Sequence, residues 1–255
     1  MNHWYEKMFE GNLAKYWLSI SDRRKEVTDL QVSFLKDVLK KGLVLDHCCG
    51  PGRLSIPLST YIPVVGLDLS TYLLQTAKKR AKQAKTKDFH LVRADMRYLP
   101  FKSEVFDDVI NLWTSFGFFS EEENETVLRE IATVLKSEGI FVLDIANPGW
   151  LVRNFREKDW TEEEKYLTLE QRSLDWKTKR MKCKWIVVNK KTGEIDEISF
   201  DHRPYDLQEL RELLKRESLE ITQVYGSFEK EDYDEAGSNR IIILSKKLHH
   251  SKTRL

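Results

Sequence analysis

An acid followed closely by a glycine turn stands at residues 43–52, Leu-Val-Leu-Asp-His-Cys-Cys-Gly-Pro-Gly. Gly50 and Gly52 can bring bare backbone against a ligand, as the turn between a strand and a helix does when α/β proteins take up nucleotide-like molecules. The dinucleotide pattern G-x-G-x-x-G puts its third glycine where this chain has Ser55, so that fingerprint is incomplete. Asp46, four residues before Gly50, would repel a pyrophosphate and attract a cationic amino group. Asp68 follows at roughly the 20-residue interval at which a second-strand carboxylate reaches ribose hydroxyls. These positions fit the capture of a zwitterionic adenosine ligand. The plainer alternative is that Gly-Pro-Gly is an ordinary tight turn that holds nothing.

Such a site needs strands that end at the acids and helices that begin after them. The apolar run ending at Asp46 is the first strand, and Ile62 to Leu67, ending at Asp68, is the second, with Ser70 placed to cap the helix that follows. Leu73, Leu74, Ala77, Ala81 and Ala84 mark one helical face, and Val127, Leu128, Ile131, Ala132 and Leu135 another, with Ser120 and Glu123 spaced as a capping box. Phe89 to Arg93, Val105 to Leu112 and Ile140 to Ile145 supply three more strands. The order β-α-β-α-β-β-α-β predicts an α/β fold with a mostly parallel sheet covered on both faces.

Between about Trp150 and Tyr205 the pattern changes. Met181, Cys183, Trp185 and Val187 alternate with polar residues, residues 189–193 read as a hairpin turn, and Ile198, Phe200 and His202 alternate again. We expect a small antiparallel insertion over the C-terminal edge of the sheet, as a substrate cap or as a dimerisation surface. Asp206 with Glu209 starts a further helix, and Leu219 to Tyr225 and Arg240 to Leu244 end the sheet. The polar residues from Lys246 onward read as a frayed tail. At the other end, Trp4, Tyr5, Phe9, Tyr16 and Trp17 are too dense for a free arm: they belong to a helix packed on the sheet or to a lid. The division is a single domain: residues 1–42 an N-terminal helical arm, 43–149 the cofactor-binding core, 150–205 the insertion, 206–247 completion of the sheet and 248–255 the tail.

Val44-Leu-Asp-His-Cys-Cys-Gly-Pro-Gly-Arg53 resembles the first motif of class I S-adenosylmethionine-dependent methyltransferases, with Cys48 where that family usually has glycine. Residues 65–70, 92–101 and 106–117 fall in the order of its later landmarks. The resemblance implies a Rossmann-like seven-stranded sheet with the last strand antiparallel, and S-adenosylmethionine as cofactor. It places Asp46, Cys48 and the Gly50-Pro51-Gly52 turn at the methionine end, Asp68 and Leu69 at the ribose, Asp95 and Met96 at the adenine, and Asn111 and Leu112 beside the methyl group. Read from residue types alone, Asp68 also suits a helix cap, Asp95 a turn anchor, Met96 a core filler and Arg53 the partner of a surface carboxylate. Cys48 is expected in an extended backbone, since a left-handed one would strain it.

Asn111-Leu-Trp-Thr114 is not the Pro-Pro motif of nucleobase amino-methyltransferases, and no Pro-Cys nucleophile loop is present. Residues 111–119, 201–205 and 238–240 instead resemble a bacterial and archaeal small-molecule group with a β-rich insertion. Ser115, Phe116, His202, Arg203, Tyr205 and Arg240 are the candidate substrate-pocket residues, together with Arg153, Tyr225 and Tyr233. His202 or a tyrosine would be the general base if one is needed; no residue is assigned a catalytic role.

Composition bounds the partners. In 255 residues, 41% are hydrophobic and 33% charged, and Lys+Arg 42 against Asp+Glu 41 gives a formal charge of +1. No apolar run is long enough to span a bilayer, and balanced charge advertises no nucleic-acid partner. Three cysteines, two of them adjacent, make no disulfide framework, and His47, Cys48 and Cys49 lack a second zinc-like ligand pair. The expectation is a cytoplasmic monomer or homodimer, without a metal, methylating a small-molecule acceptor. A cofactor-binding module without catalysis, an RNA or protein methyltransferase and a nucleotide-dependent oxidoreductase are the alternatives.

Overall fold

The computed structural model describes residues 4–249. Three helices open the chain: α1 (Trp4–Met8), α2 (Gly11–Asp22) and α3 (Lys25–Val38). The alternating core follows as β1 (Val44–His47), α4 (Ser55–Leu58), β2 (Val64–Asp68), α5 (Thr71–Ala84), β3 (Phe89–Arg93), β4 (Phe106–Asn111), α6 (Glu121–Val134) and β5 (Leu135–Ala146). After α7 (Pro148–Arg153) come β6 (Lys158–Glu162), β7 (Tyr166–Asp175), β8 (Arg180–Asn189) and β9 (Ile195–His202), then α8 (Leu207–Arg216), β10 (Leu219–Tyr225) and β11 (Arg240–Lys247).

Seven strands form one sheet in the order β10-β11-β5-β4-β1-β2-β3, with β11 antiparallel to both neighbours and the β1 to β5 pairings parallel. This is the expected class I topology. All four residues of β1 are buried, as a central strand covered on both faces must be. Successive residues feed opposite faces: Leu45, Val109, Phe141, Ile241 and Ile243 pack with α6 and α8, while Val44, Ile110, Val142, Ile242 and Leu244 pack with α3 and α4. Helix starts follow local chemistry. The Ser70 hydroxyl accepts from Leu73 N, and both capping boxes, Ser120 with Glu123 and Asp206 with Glu209, are closed.

Four boundaries differ from expectation. β2 begins at Val64, because Ile62 lies in the preceding turn and packs in the α3 and α4 layer. β4 runs from Phe106 to Asn111, so Val105 and Leu112 fall outside the strand. β5 begins at Leu135, directly after α6, and passes an irregular register at Glu138, whose φ is +66°. β11 continues to Lys247, where a frayed tail was expected: its ammonium reaches the Leu135 carbonyl at 2.7 Å while its stem is buried. The tail from 250 lies outside the described residues.

The insertion is a four-stranded antiparallel meander, β6-β7-β8-β9. Its β8–β9 turn is built as read: the Asn189 side chain accepts from Lys191 N and Thr192 N, and Gly193, at φ +74°, closes onto the Asn189 carbonyl. A third apolar cluster, separate from the two that cover the main sheet, joins Met8, Leu13 and Tyr16 of the first two helices to Tyr166, Val187 and Ile198 of the insertion. The N-terminal aromatics therefore pack on the inserted sheet.

Among the described residues, no helix is long and apolar enough to cross a membrane.

Candidate active site

A cavity of about 1000 Å³ opens at the C-terminal ends of β1, β2 and β4. Its volume lies at the upper end of small-molecule sites, enough for two ligands side by side. The floor carries Asp46, Cys48, Gly50, Pro51, Asp68, Leu69, Asp95, Met96 and Leu112. The roof is made by Trp4, Met8 and Trp17 from α1 and α2, and by Met181, Trp185, Phe200 and His202 from the insertion.

The floor is preorganised by its own hydrogen bonds. The Ser55 hydroxyl donates to Asp46, which is 4% exposed. Burial pushes the Asp46 carboxyl up to about 6, against the opposing pull of Ser55 and Arg53. Asp68 accepts from Gly50 N at 2.8 Å and from Ser70 N at 2.9 Å, so this one carboxylate ties the glycine turn to the start of α5. Burial again raises its pKa. Asp95 behaves oppositely: burial would raise it, but the Arg97 guanidinium, at 2.7 Å through Nη2, holds it below its usual range. Arg97 also reaches Glu123 and the Tyr5 hydroxyl and lies 4.4 Å from the Phe119 ring centroid. This joint between α1, the β3 end and α6 was not visible in the sequence.

Cys48 corrects an expectation. Its φ is +83°, in the left-handed half of the map and not extended. The chain must fold back there so that Cys48 N and Cys49 N both donate to the Leu67 carbonyl, at 2.9 and 2.8 Å. A side chain in that backbone costs about 1–2 kcal/mol. The three consecutive residues diverge: His47 points into the core toward Asn111 and Met96, the Cys48 thiol faces the Met96 sulfur at 3.5 Å, and the Cys49 thiol lies 2.8 Å from where a Cβ on Gly66 would stand. Among the described residues, no group of three or more His, Cys, Asp and Glu side chains is placed to hold a metal ion.

Other expected residues sit elsewhere. Gly52 shapes the turn without lining the cavity, since a Cβ there would lie 2.8 Å from Ile56 Cδ1. Asn111 is fully buried beneath the floor, its amide donating to His47 Nδ1 at 3.0 Å and to the His47 carbonyl. Of the substrate candidates, Ser115, Arg153, His202 and Arg240 line the cavity. Phe116 and Tyr205 are core residues in mutual ring contact, with the Tyr205 hydroxyl on Glu121 and Asn124. Arg203 is held by Glu121 and Glu209 behind the wall. Tyr225 packs on Phe34, and the Tyr233 hydroxyl bonds Asn147. Arg53 meets no surface carboxylate: it lines the cavity and donates to Thr28 Oγ1 at 2.8 Å and Gln31 Oε1 at 2.7 Å.

Trp113 and Thr114, which follow Leu112 beyond the end of β4, both have positive φ, +62° and +59°, and the indole lies in the cavity wall. Their backbone is pinned from below, because Trp113 N donates to Asp144 Oδ2 at 2.9 Å and Thr114 N to the Asp144 carbonyl at 3.0 Å.

Comparison with known proteins agrees with the geometry. Residues 44–139 match a family model described as a methyltransferase domain. An uncharacterized protein of Methanocaldococcus jannaschii is 28% identical over 233 residues, covering 88% of this chain and 82% of that protein. A demethylmenaquinone methyltransferase of Oceanobacillus iheyensis is 31% identical over 144 residues, 52% of this chain and 57% of that enzyme, so the chain matches only about half the length of that relative. The crystal structure of an S-adenosylmethionine-dependent methyltransferase from Clostridium acetobutylicum shares the fold with a TM-score of 0.80 at 16% identity, covering 92% of this chain and 99% of that one.

Proposed function

We propose that this chain, whose residues 44–139 form a methyltransferase domain of the class I S-adenosylmethionine-dependent type, moves the cofactor's methyl group to a small molecule bound beneath the insertion. S-adenosylmethionine is the cofactor, and the residues present fit it. Asp46 and the Gly50 turn would hold the methionine end, Asp68 and Leu69 the ribose, and Asp95 and Met96 the adenine; all of them line the cavity. A Cβ on Gly50 would meet no atom within 4 Å, which is the space that close approach of a ligand to this backbone requires.

The observation that carries the small-molecule reading is the roof. The cavity continues from the floor acids to Trp185, Phe200 and His202, so an acceptor there is enclosed by side chains, as small ligands are. Methyl transfer from a sulfonium is an in-line displacement, so the protein's share is alignment and exclusion of water. The aromatic rings of Trp4, Phe9 and Trp17 favour a cationic sulfonium near their faces. Burial, with Arg180 nearby, pulls His202 down to about 4, so its imidazole is neutral at pH 7 and lines the acceptor space as a hydrogen-bonding group, too weak a base to take up a proton there.

The test is calorimetry with S-adenosylmethionine, followed by a screen for S-adenosylhomocysteine release over small acids and amines. Micromolar binding that is lost in Asp68→Ala, and turnover with at least one small acceptor, are expected. Absence of micromolar cofactor binding would sink the proposal.

A further inference from the structure

Charge in the cavity is segregated. Asp68 and Asp95 are held at the β2 and β3 end by their own partners, and on the insertion Arg172 is matched by Glu170 and Asp159. Between β4 and β11 the balance is cationic. Arg53 and Arg240 line the cavity, and Arg24 stands behind Trp113, its Cζ 4.6 Å from the indole centroid, with that of Arg53 at 5.2 Å. Two buried carboxylates stand among the three guanidiniums: Asp46, which takes the Ser55 hydroxyl and acts on Arg53, and Asp144, 1% exposed, whose Oδ1 takes Arg240 Nε at 2.7 Å and whose Oδ2 is spent on Trp113 N.

The guanidiniums feel this crowding. Burial lowers Arg24, and Arg240 and Arg23 lower it further; burial and Arg24 bring Arg53 down to about 10, with Asp46 and Asp144 opposing. The side-chain partners of Arg53 are neutral, a hydroxyl and an amide. Arg240 Nη2 is buried with no hydrogen-bond partner. An unpaired buried guanidinium N–H is costly, and the fork it belongs to matches a carboxylate or phosphate edge.

We propose that the acceptor is an organic anion, its carboxylate or phosphate held by Arg240 and Arg53 beside Trp113 and its apolar body against Trp17, Trp185 and Phe200. This rests on the methyltransferase reading for the word acceptor, but the anion site stands on the arginines alone. The competing occupant of the same arginines is the cofactor's own carboxylate.

The experiment saturates the protein with S-adenosylhomocysteine, so that the cofactor carboxylate is already seated, and titrates benzoate, phenyl phosphate, benzamide and benzylamine by calorimetry. One or both anions should bind at least about ten-fold more tightly than the neutral and cationic probes, and their relative affinities tell carboxylate from phosphate. Arg240→Lys, which keeps a cation for Asp144 but loses the fork, should remove about that ten-fold advantage and leave S-adenosylhomocysteine affinity unchanged. If its melting temperature shows that it does not fold, Arg53→Lys serves for the anion comparison. Equal binding of benzamide or benzylamine, anion binding indifferent to these arginines, or competition between the anion and S-adenosylhomocysteine would each overturn the proposal. If S-adenosylhomocysteine itself does not bind, the methyltransferase reading falls, and the same titrations on the unliganded protein still decide the anion site.

Discussion

Alanine at Gly50 and alanine at Gly52 should do opposite things, although the residues are two apart in one turn. Gly50 has φ +54° and a Cβ there meets nothing within 4 Å. Its folding cost is therefore the left-handed backbone alone, about 1–2 kcal/mol, less about 0.4–1 kcal/mol for the reduced freedom of the unfolded chain. A net loss near 1 kcal/mol lowers the melting temperature by about 2–4 °C in a chain of this size. At Gly52, φ is +77° and the new Cβ stands 2.8 Å from Ile56 Cδ1 and 3.0 Å from Cγ1. Overpacking of about 1–3 kcal/mol is added there, for a total near 3 kcal/mol and a fall of roughly 10 °C. Binding reverses the order. The open space at Gly50 is cavity, so its methyl displaces the cofactor and weakens binding at least about ten-fold, or about 1.4 kcal/mol. Folded Gly52→Ala keeps most of its affinity. Thermal melts paired with calorimetry well below both transitions read the two quantities separately. Wild-type cofactor affinity in Gly50→Ala, or a melting loss there equal to that of Gly52→Ala, would refute the reasoning.

Cys48→Gly should be neutral to mildly stabilising, by up to about 1 kcal/mol, since it relieves the φ +83° backbone, whereas Cys48→Val should cost about 2 kcal/mol or more; equal melting temperatures for the two would contradict the assigned strain. Asp46 has a folded pKa of about 6 against an ordinary value of 3.8, so the unliganded protein holds its proton more tightly than the unfolded chain and loses stability as pH rises through that window. Asp46→Asn should therefore be more stable than wild type at pH 8, by on the order of 1–3 kcal/mol, with the gap closing below pH 4; urea titrations across pH measure it. His47, pulled by burial from 6.5 to about 4, has the opposite sign: the unfolded chain takes up the proton first, so stability falls as pH drops through that interval, and His47→Gln should flatten this acid limb. Trp17 touches the rings of Phe9, Tyr16, Trp113 and Trp185, and Trp17→Ala should cost about 3 kcal/mol and raise KM for the acceptor.

Whatever depends on neighbours in sequence was legible. Ser120 with Glu123 and Asp206 with Glu209 close capping boxes because a cap involves four consecutive residues, and Phe89–Arg93 and Leu219–Tyr225 were bounded correctly by their own patterns. The floor acids were legible through spacing, since strand length and one crossover fix the interval between Asp46 and Asp68. What failed depended on distant partners. Cys48 looked compatible with extended backbone because nothing local shows that two successive amides must reach one carbonyl of β2. Asn111 was assigned to the site by its strand end, but His47 draws it inward. Arg203 and Tyr205 read as pocket groups until Glu121, more than eighty residues away, proved to hold both. β6 was invisible because almost every residue in it is exposed, leaving no apolar period to read.

The third apolar cluster sets the mechanics of the cavity. Met8, Leu13 and Tyr16 are tied to Tyr166, Val187 and Ile198, so the two chain segments that enclose a ligand adhere to each other through an apolar cluster of their own. A few polar ties link this pair to the rest of the molecule: Ser70 Oγ to the Phe9 carbonyl at 2.7 Å, in the turn that follows Asp68, Arg97 to the Tyr5 hydroxyl at 2.8 Å, Arg80 to Asp22 at 2.6 Å and Arg180 to the Phe119 carbonyl at 2.8 Å. The enclosing segments thus form a cooperative unit of their own, able to open without disturbing the seven-stranded sheet. Amide exchange in α2 and in β8–β9 should report a common opening free energy, lower than that of β1 and β4, and a ligand gripped between floor and roof should raise it in both segments by the same amount.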